Sequence, residues 1–209
     1  MDIQVQGDIS SVQRPARRLR RTARREQILE AATRAFARTG FAATSLDDLA
    51  AEAGVSKVLL YRHFESKADL YRAVLDTAGA RLGDAVGRDD FAEGTIAALV
   101  GAAGRDPDGF RLLFRHAARE PEFRDVVDFY ATLATETARR NLARRVPEGP
   151  WLDWASRLVP VVTLEAVLAW LDIGAPDPGE AAERIGGAVD AVLEAARQHP
   201  ARILDPLKA

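Results

Sequence analysis

The stretch Leu49-Ala-Ala-Glu-Ala-Gly54-Val-Ser56-Lys57-Val-Leu-Leu-Tyr61-Arg-His-Phe64 decides how this chain is built. Leu49, Ala50 and Ala53 recur at helical spacing, and Gly54 stops that helix. Ser56 then supplies the N-cap of a second helix that carries Leu60, Tyr61 and Phe64. Two short helices joined by the tight Ala53-Gly54-Val55 turn make a helix-turn-helix.

Working outward toward the N-terminus, Thr44 and Ser45 offer a cap, with Asp48 three residues after Ser45 as the acid of a capping box, and Leu46 joins the apolar face. Ile28, Ala32, Ala35 and Phe36 mark one face of a helix that opens near Glu26 and ends at Gly40. Toward the C-terminus, Glu65-Ser66-Lys67 is a break before a longer helix from Ala68 to about Val86. Residues 1–13 show no helical period and are expected to be a disordered arm.

Charge separates the two ends. The whole chain has a formal net charge of −2, yet seven arginines (Arg14, Arg17, Arg18, Arg20, Arg21, Arg24 and Arg25) lie between positions 14 and 25 with no acid among them. A basic head on an acidic remainder points to a polyanionic partner for the head.

At 209 residues, 47% hydrophobic and 29% charged, the composition is that of a globular protein of one or two domains. The absence of cysteine removes disulfides, thiolate metal sites and cysteine nucleophiles together, and suits a reducing compartment. The best apolar run, Leu158 to Leu171, carries Glu165 and is shorter than a membrane span, and no apolar core follows the N-terminal arginines as a secretory signal would require. A soluble, cytoplasmic protein with no membrane partner is the expectation.

Beyond Val86 the sequence is alanine-rich and amphipathic, with breaks at Gly87–Asp90, Gly104–Pro107, Glu120-Pro121, Pro147–Pro150 and Gly174–Pro178. Helices fit between them at about 90–103, 108–119, 122–145, 151–173 and 179–198, with no strand-like alternation and no internal repeat. The fold class is therefore all-α, about nine helices. Ile185, Ala188, Val189, Val192, Leu193 and Ala196 form an apolar stripe beside Gly186 and Gly187, and the preceding helix, from Trp151 and Trp154 through Leu158, Val161, Val162 and Leu168 to Trp170, is apolar on more than one face. One face can serve the fold and another a partner. Pro160 falls inside that helix and is expected to kink it.

The strings Gln27–Phe36, Gly40–Ser45, Leu49–Ser56 and Leu60–Lys67 together resemble the DNA-binding domain of TetR/AcrR-type transcriptional regulators, without a gap over about residues 24–75. The resemblance implies an N-terminal helix-turn-helix head of three helices and a C-terminal helical body for ligand binding and dimerisation. The corresponding boundaries are a flexible Arg-rich arm at 1–22, the head at 23–70 and the body at 71–209. It further implies that the third helix lies in the major groove of double-stranded DNA. Thr44, Ser45, Tyr61, His63 and Lys67 match the family's phosphate-holding positions, and Ser56, Lys57, Val58, Leu59 and Arg62 match those that read base edges. Val58 and Leu59 depart from the family's usual small and hydroxyl residues; they can touch thymine methyls but cannot hydrogen-bond a base, which leaves polar readout to Lys57 and Arg62. In this context Arg17, Arg18 and Arg21 become candidates for the minor groove or the phosphates.

In the family the last two long helices form a four-helix bundle with their copies, so a homodimer is implied. The family also keeps an effector pocket in the body, for which Phe110, Phe114, His116, Phe129, Tyr130, Trp154 and Glu165 are the candidates and a small, largely apolar molecule the expected ligand. The helix from Ala68 to about Val86 is the expected link between body and head.

His116 and Glu120 stand four apart on a helix, a spacing that could serve acid–base or metal chemistry. With only His63, His116 and His199 as histidines, and no glycine-rich phosphate loop or nucleophile elbow, no metal, no cofactor and no enzymatic activity are expected. The expected function is a ligand-responsive regulator, a repressor released from a near-palindromic operator. The alternatives are a helical adaptor that binds another protein without specific DNA binding and, more remotely, a small-molecule enzyme.

Overall fold

The computed structural model describes the backbone of residues 10–87 and 94–197 and the side chains from residue 21 onward, and within them every regular element is helical. The chain divides between Val74 and Leu75 into two compact units.

The first unit is built on local signals. Helix α1 runs Ser10–Ala43 with a break at Gly40, whose φ of 80° suits a residue without a Cβ. Ser45 caps α2 (Leu46–Ala53): its hydroxyl accepts from the Asp48 amide at 3.1 Å while the Asp48 carboxylate accepts from the Ser45 amide at 3.0 Å, the complete capping box. The Ser45 hydroxyl, which also donates to the Asp48 carboxylate at 2.6 Å, and then the Ser45 amide hold that carboxyl below its ordinary pKa. Gly54 ends α2 in the left-handed region (φ 63°, ψ 35°) and returns its amide to Ala50 and Ala51. Ser56 then caps α3 (Lys57–Tyr61) by accepting from the Leu59 amide at 3.2 Å. Helix α4 follows at Lys67–Val86.

Ile28, Phe36, Leu49, Leu60, Phe64, Leu70 and Tyr71 close over one another as the core of this unit, with the Phe36 and Tyr71 rings edge-to-face at 4.9 Å. Gln27 fastens α1 to the turn by donating to the Ala53 carbonyl at 2.9 Å. Arg34 and Arg38 both reach Glu52, at 3.1 and 2.9 Å, and keep its carboxyl below the usual range.

Two expectations change here. Helix α1 starts at Ser10, well before Glu26, so much of the expected flexible arm is helix; residues 1–9 and the side chains of Arg17 and Arg18 lie outside the described residues. Arginine and alanine are strong helix formers, and an arginine run has no apolar period to announce them.

The second unit contains the rest of α4, then α5 (Thr95–Arg105), α6 (Pro107–Arg111), α7 (Arg124–Leu142), α8 (Pro150–Asp172) and α9 (Pro178–Arg197). The expected helix start at 90 and His199 lie outside the described residues. The segment expected as one helix at 108–119 is instead α6, a π-helical turn at Leu112–His116 and a 3₁₀ turn at Ala117–Arg119. Asp106 caps α6 from the Gly109 amide at 3.0 Å, and the Ala117 amide reaches back to the Leu112 carbonyl.

Two clusters fill the interior. Leu99, Val100, Phe110, Val167, Leu168 and Ile185 belong to one; Leu142, Val146, Leu152, Ala155, Leu193 and Ala196 belong to the other. Helix α8 contributes to both, running through Pro160 as a single helix. It is the one described helix long and apolar enough to cross a membrane, and its inward side chains are buried in these clusters. Gly79 of α4 faces Tyr130 so closely that a Cβ there would stand 1.6 Å from the phenol oxygen, so any larger residue would have to push the Tyr130 ring aside.

The α9 stripe is divided between two surroundings. Ile185, Leu193 and Ala196 are buried in the chain's own core, with Val189 and Val192 packed beside Leu193, whereas Gly187, Ala188, Ala191 and Ala195 face outward. The large apolar side chains turn inward because two helices already offer them a dry surface, and the outward apolar positions, set among Glu183, Arg184, Asp190 and Glu194, are small.

Candidate nucleic-acid interface

The buried anchors of α3 are Leu60 and, just beyond its end, Phe64. At about 100° per residue they fix what the opposite side presents: Val58 and Arg62 at its centre, with Leu59 half-buried on one flank and Tyr61 exposed on the other. Val58 is 66% exposed. Lys57 is paired at 3.0 Å with Asp47, both in solvent, a contact weak enough to be exchanged for a phosphate. Ser56 is exposed beside it.

Arg21, Arg24 and Arg25 stand at i, i+3 and i+4 on α1 and so share one helix face. His63 lies half-buried at the end of α3, and its pKa is pushed down by that burial and by the charges of Arg21, Arg25 and Arg24. The guanidinium of Arg25 also sits 5.0 Å over the Phe64 ring. The arginine face of α1 and the end of α3 therefore form one cationic surface. Arg24 and Arg25 belong to it as much as Arg21 does, and the signal that finds them is the continuity of α1 through the arginine run.

Three residues expected at phosphates are engaged elsewhere. Thr44 is 2% exposed, its hydroxyl bonded to the Gly40 carbonyl and the Thr39 hydroxyl, each at 2.6 Å. The Ser45 hydroxyl is tied into the capping box through Asp48. Lys67 donates to the carbonyls of Phe41 at 2.8 Å, Thr44 at 3.1 Å and Ala42 at 3.4 Å, and lies 4.4 Å from the Phe41 ring centre. An ammonium has three donors. Lys67 spends all of them fastening the end of α1 to the start of α4, where the carbonyl ends of a broken helix concentrate negative potential. Lys67→Ala is accordingly expected to lower head stability by about 1–2 kcal/mol and to leave the salt dependence of DNA binding unchanged. Chemical denaturation and a salt titration of the same variant check the two halves of that statement.

The residues expected to line an effector pocket divide as well. Phe110 is buried core, its ring 4.8 Å from that of half-buried Phe114; Tyr130 stands 6.4 Å from Phe114 and 5.1 Å from Phe129. Burial, and then Asp76, raise the Tyr130 phenol above its ordinary pKa. His116 is half-buried in the π turn, and burial, followed by Arg119, Arg115 and Arg111, keeps its imidazole below the usual value. Phe129 is 60% exposed and Glu165 also faces out. Trp154 packs edge-on against Trp151 at 5.9 Å on the outer side of α8. It lies fourteen residues before Leu168, about 21 Å along the helix from the part of α8 that meets Phe110. The structure therefore gathers Phe110, Phe114, Tyr130 and Phe129 and separates Trp154 and Glu165 from them. Among the described residues no group of three His, Cys, Asp or Glu is placed to hold a metal ion.

Residues 28–74 match the family model described as bacterial regulatory proteins, tetR family. The chain is 36% identical over 111 residues to the HTH-type transcriptional activator FasR of Mycolicibacterium smegmatis, covering 49% of this chain and 51% of that protein. It is 38% identical over 93 residues to the HTH-type transcriptional repressor SCO4008 of Streptomyces coelicolor, covering 44% and 48%. The match thus spans about half the length of these curated relatives. Among solved structures, a TetR-like transcriptional regulator from Rhodococcus sp. RHA1 superposes with a TM-score of 0.71 at 21% identity, covering 82% of this chain and 96% of that one. SCO4454, a TetR-family transcriptional regulator from Streptomyces coelicolor, superposes with a TM-score of 0.62 at 26% identity, covering 84% and 96%.

Proposed function

From the match of residues 28–74 to the tetR family of bacterial regulatory proteins, we propose that the chain is a homodimeric, ligand-responsive regulator of transcription that acts as a repressor on a near-palindromic operator. The observation that carries this reading is the outward face of α3, with Lys57, Val58, Tyr61 and Arg62 in solvent beside the arginine face of α1. An exposed helix flanked by cations is what a major groove accepts, the helix reading base edges while the cations hold phosphates.

Phe114, His116 and Tyr130 supply an effector site of mostly apolar character, set at a π-helical turn of the kind that recurs at functional sites. A ligand that displaces Tyr130 would act on α4 at Gly79, and α4 begins in the DNA-binding unit. For a tenfold loss of operator affinity the ligand has to favour one head state by about 1.4 kcal/mol.

Footprinting of the full chain on the DNA upstream of its own gene tests the proposal. The expected protection has dyad symmetry, with half-sites one helical turn or a multiple apart, roughly 34–36 Å or more between recognition helices. A chain that forms no salt-sensitive, sequence-specific complex is an adaptor and not a regulator.

A further inference from the structure

On the surface just described, one side chain is out of place for a purely electrostatic reader. Val58 holds the centre of the outward face of α3, two-thirds exposed, with nothing in its isopropyl group that can donate or accept a hydrogen bond. Lys57, the neighbouring cation, is paired with Asp47. Arg62, four residues on and therefore directly along the same face, makes no ion pair among the described residues. The two side chains closest to the outward axis of the helix are thus one branched aliphatic group and one uncommitted guanidinium.

These two groups select different base-pair edges. An aliphatic surface in the major groove finds one apolar partner among the unmodified bases, the 5-methyl of thymine, while a guanidinium is matched in its fork geometry by O6 and N7 of guanine. We infer that Val58 packs on a thymine methyl and Arg62 clamps a guanine close to it in each half-site, so that the pair sets this chain's operator preference. The inference rests on the DNA-binding reading above and deepens it to the chemistry of two bases. Half-buried Leu59 and exposed Tyr61 flank the contact and exclude water from it.

The test begins with the full chain enriching its own site from a randomised duplex pool. Each thymine of the selected duplex is then replaced in turn by uracil, which removes only the methyl, and each guanine by 7-deazaguanine, which removes only the N7 acceptor. Loss of one buried methyl is expected to weaken binding roughly fourfold at one half-site and about fifteenfold when both are changed. In Val58→Ala, thymine and uracil bind alike at that position, and in the isosteric Val58→Thr, which keeps one methyl, part of the discrimination survives. The 7-deazaguanine effect at the neighbouring guanine disappears in Arg62→Ala. Uracil that is neutral at every position in the unmodified chain, or a thymine preference that persists undiminished in Val58→Ala, overturns the inference and leaves the DNA-binding reading standing. A pool that enriches no sequence overturns both.

Discussion

A Val161→Glu chain is expected to run at monomer mass in light scattering and to lose operator affinity by a factor of about 10²–10⁴, the avidity that joining two half-site contacts supplies. Val161 lies 57% exposed on the outer side of α8, in line with Trp151, Trp154 and Leu158 at spacings of three, four and three residues, the pattern of a helix seam. The neighbouring outward face of α9 presents Gly187, Ala188, Ala191 and Ala195. Large side chains on one helix and small ones on the next are what two copies need to interlock. In a two-fold interface every residue enters twice, so one substitution buries two carboxylates without partners. The chain's own core uses the opposite side of α8, through Leu152, Ala155, Val167 and Leu168, so helical content should be preserved. A Val161→Glu chain that remains dimeric would place the partner surface elsewhere.

The second large effect concerns salt. Replacing Arg21, Arg24 and Arg25 together by alanine is expected to flatten the dependence of log K on log salt by about five units for a dimer, at roughly 0.9 units for each of six phosphates. Between 50 and 200 mM salt the unmodified chain should then lose about a thousandfold more affinity than the variant, and the two should converge as salt rises. The three side chains are exposed and lie on the face of α1 that approaches His63; the substitution removes the Arg25 contact over the Phe64 ring and the Arg24 bond to Gln27 while every buried side chain of the head stays in place. Equal slopes would mean that these arginines remain solvated in the complex. If the slope flattens here but not in Lys67→Ala, the arginines are the cations that meet DNA and Lys67 is the one that holds the fold.

The helix-turn-helix was legible because its determinants are local. Gly54 has to be left-handed, and Ser45, Asp48 and Ser56 each satisfy an amide three residues away, so the sequence itself writes both ends of the turn. The structural contacts of Lys67 were not legible for the opposite reason: its partners are backbone carbonyls more than twenty residues earlier, and no side-chain pattern reports a carbonyl. The length of α1 escaped notice because an arginine run has helix propensity without periodicity. In the body, the apolar character of α8 and α9 was visible while the choice of face was not. Trp154 and Ile185 are both apolar on long helices, and only packing shows that one faces outward and the other inward. The candidate site divides in the same way: Val58 and Arg62 follow from helical phase, whereas Thr44 needed the structure to be seen buried.

The π turn at Leu112–His116 has a consequence for chain length. A turn in which the amide of Ala117 reaches back five residues to Leu112 holds one residue more than an α turn of the same span. It lies where Leu112 and Leu113, neighbours in sequence, are both set into the interior. Relatives that lack one residue here can close the turn as ordinary helix and keep Phe110 on one side and Ala117 on the other in the same core. An alignment gap of a single position between 112 and 116 would then mark a change in the width of one turn near Phe114 and His116, with the rest of the architecture conserved around it.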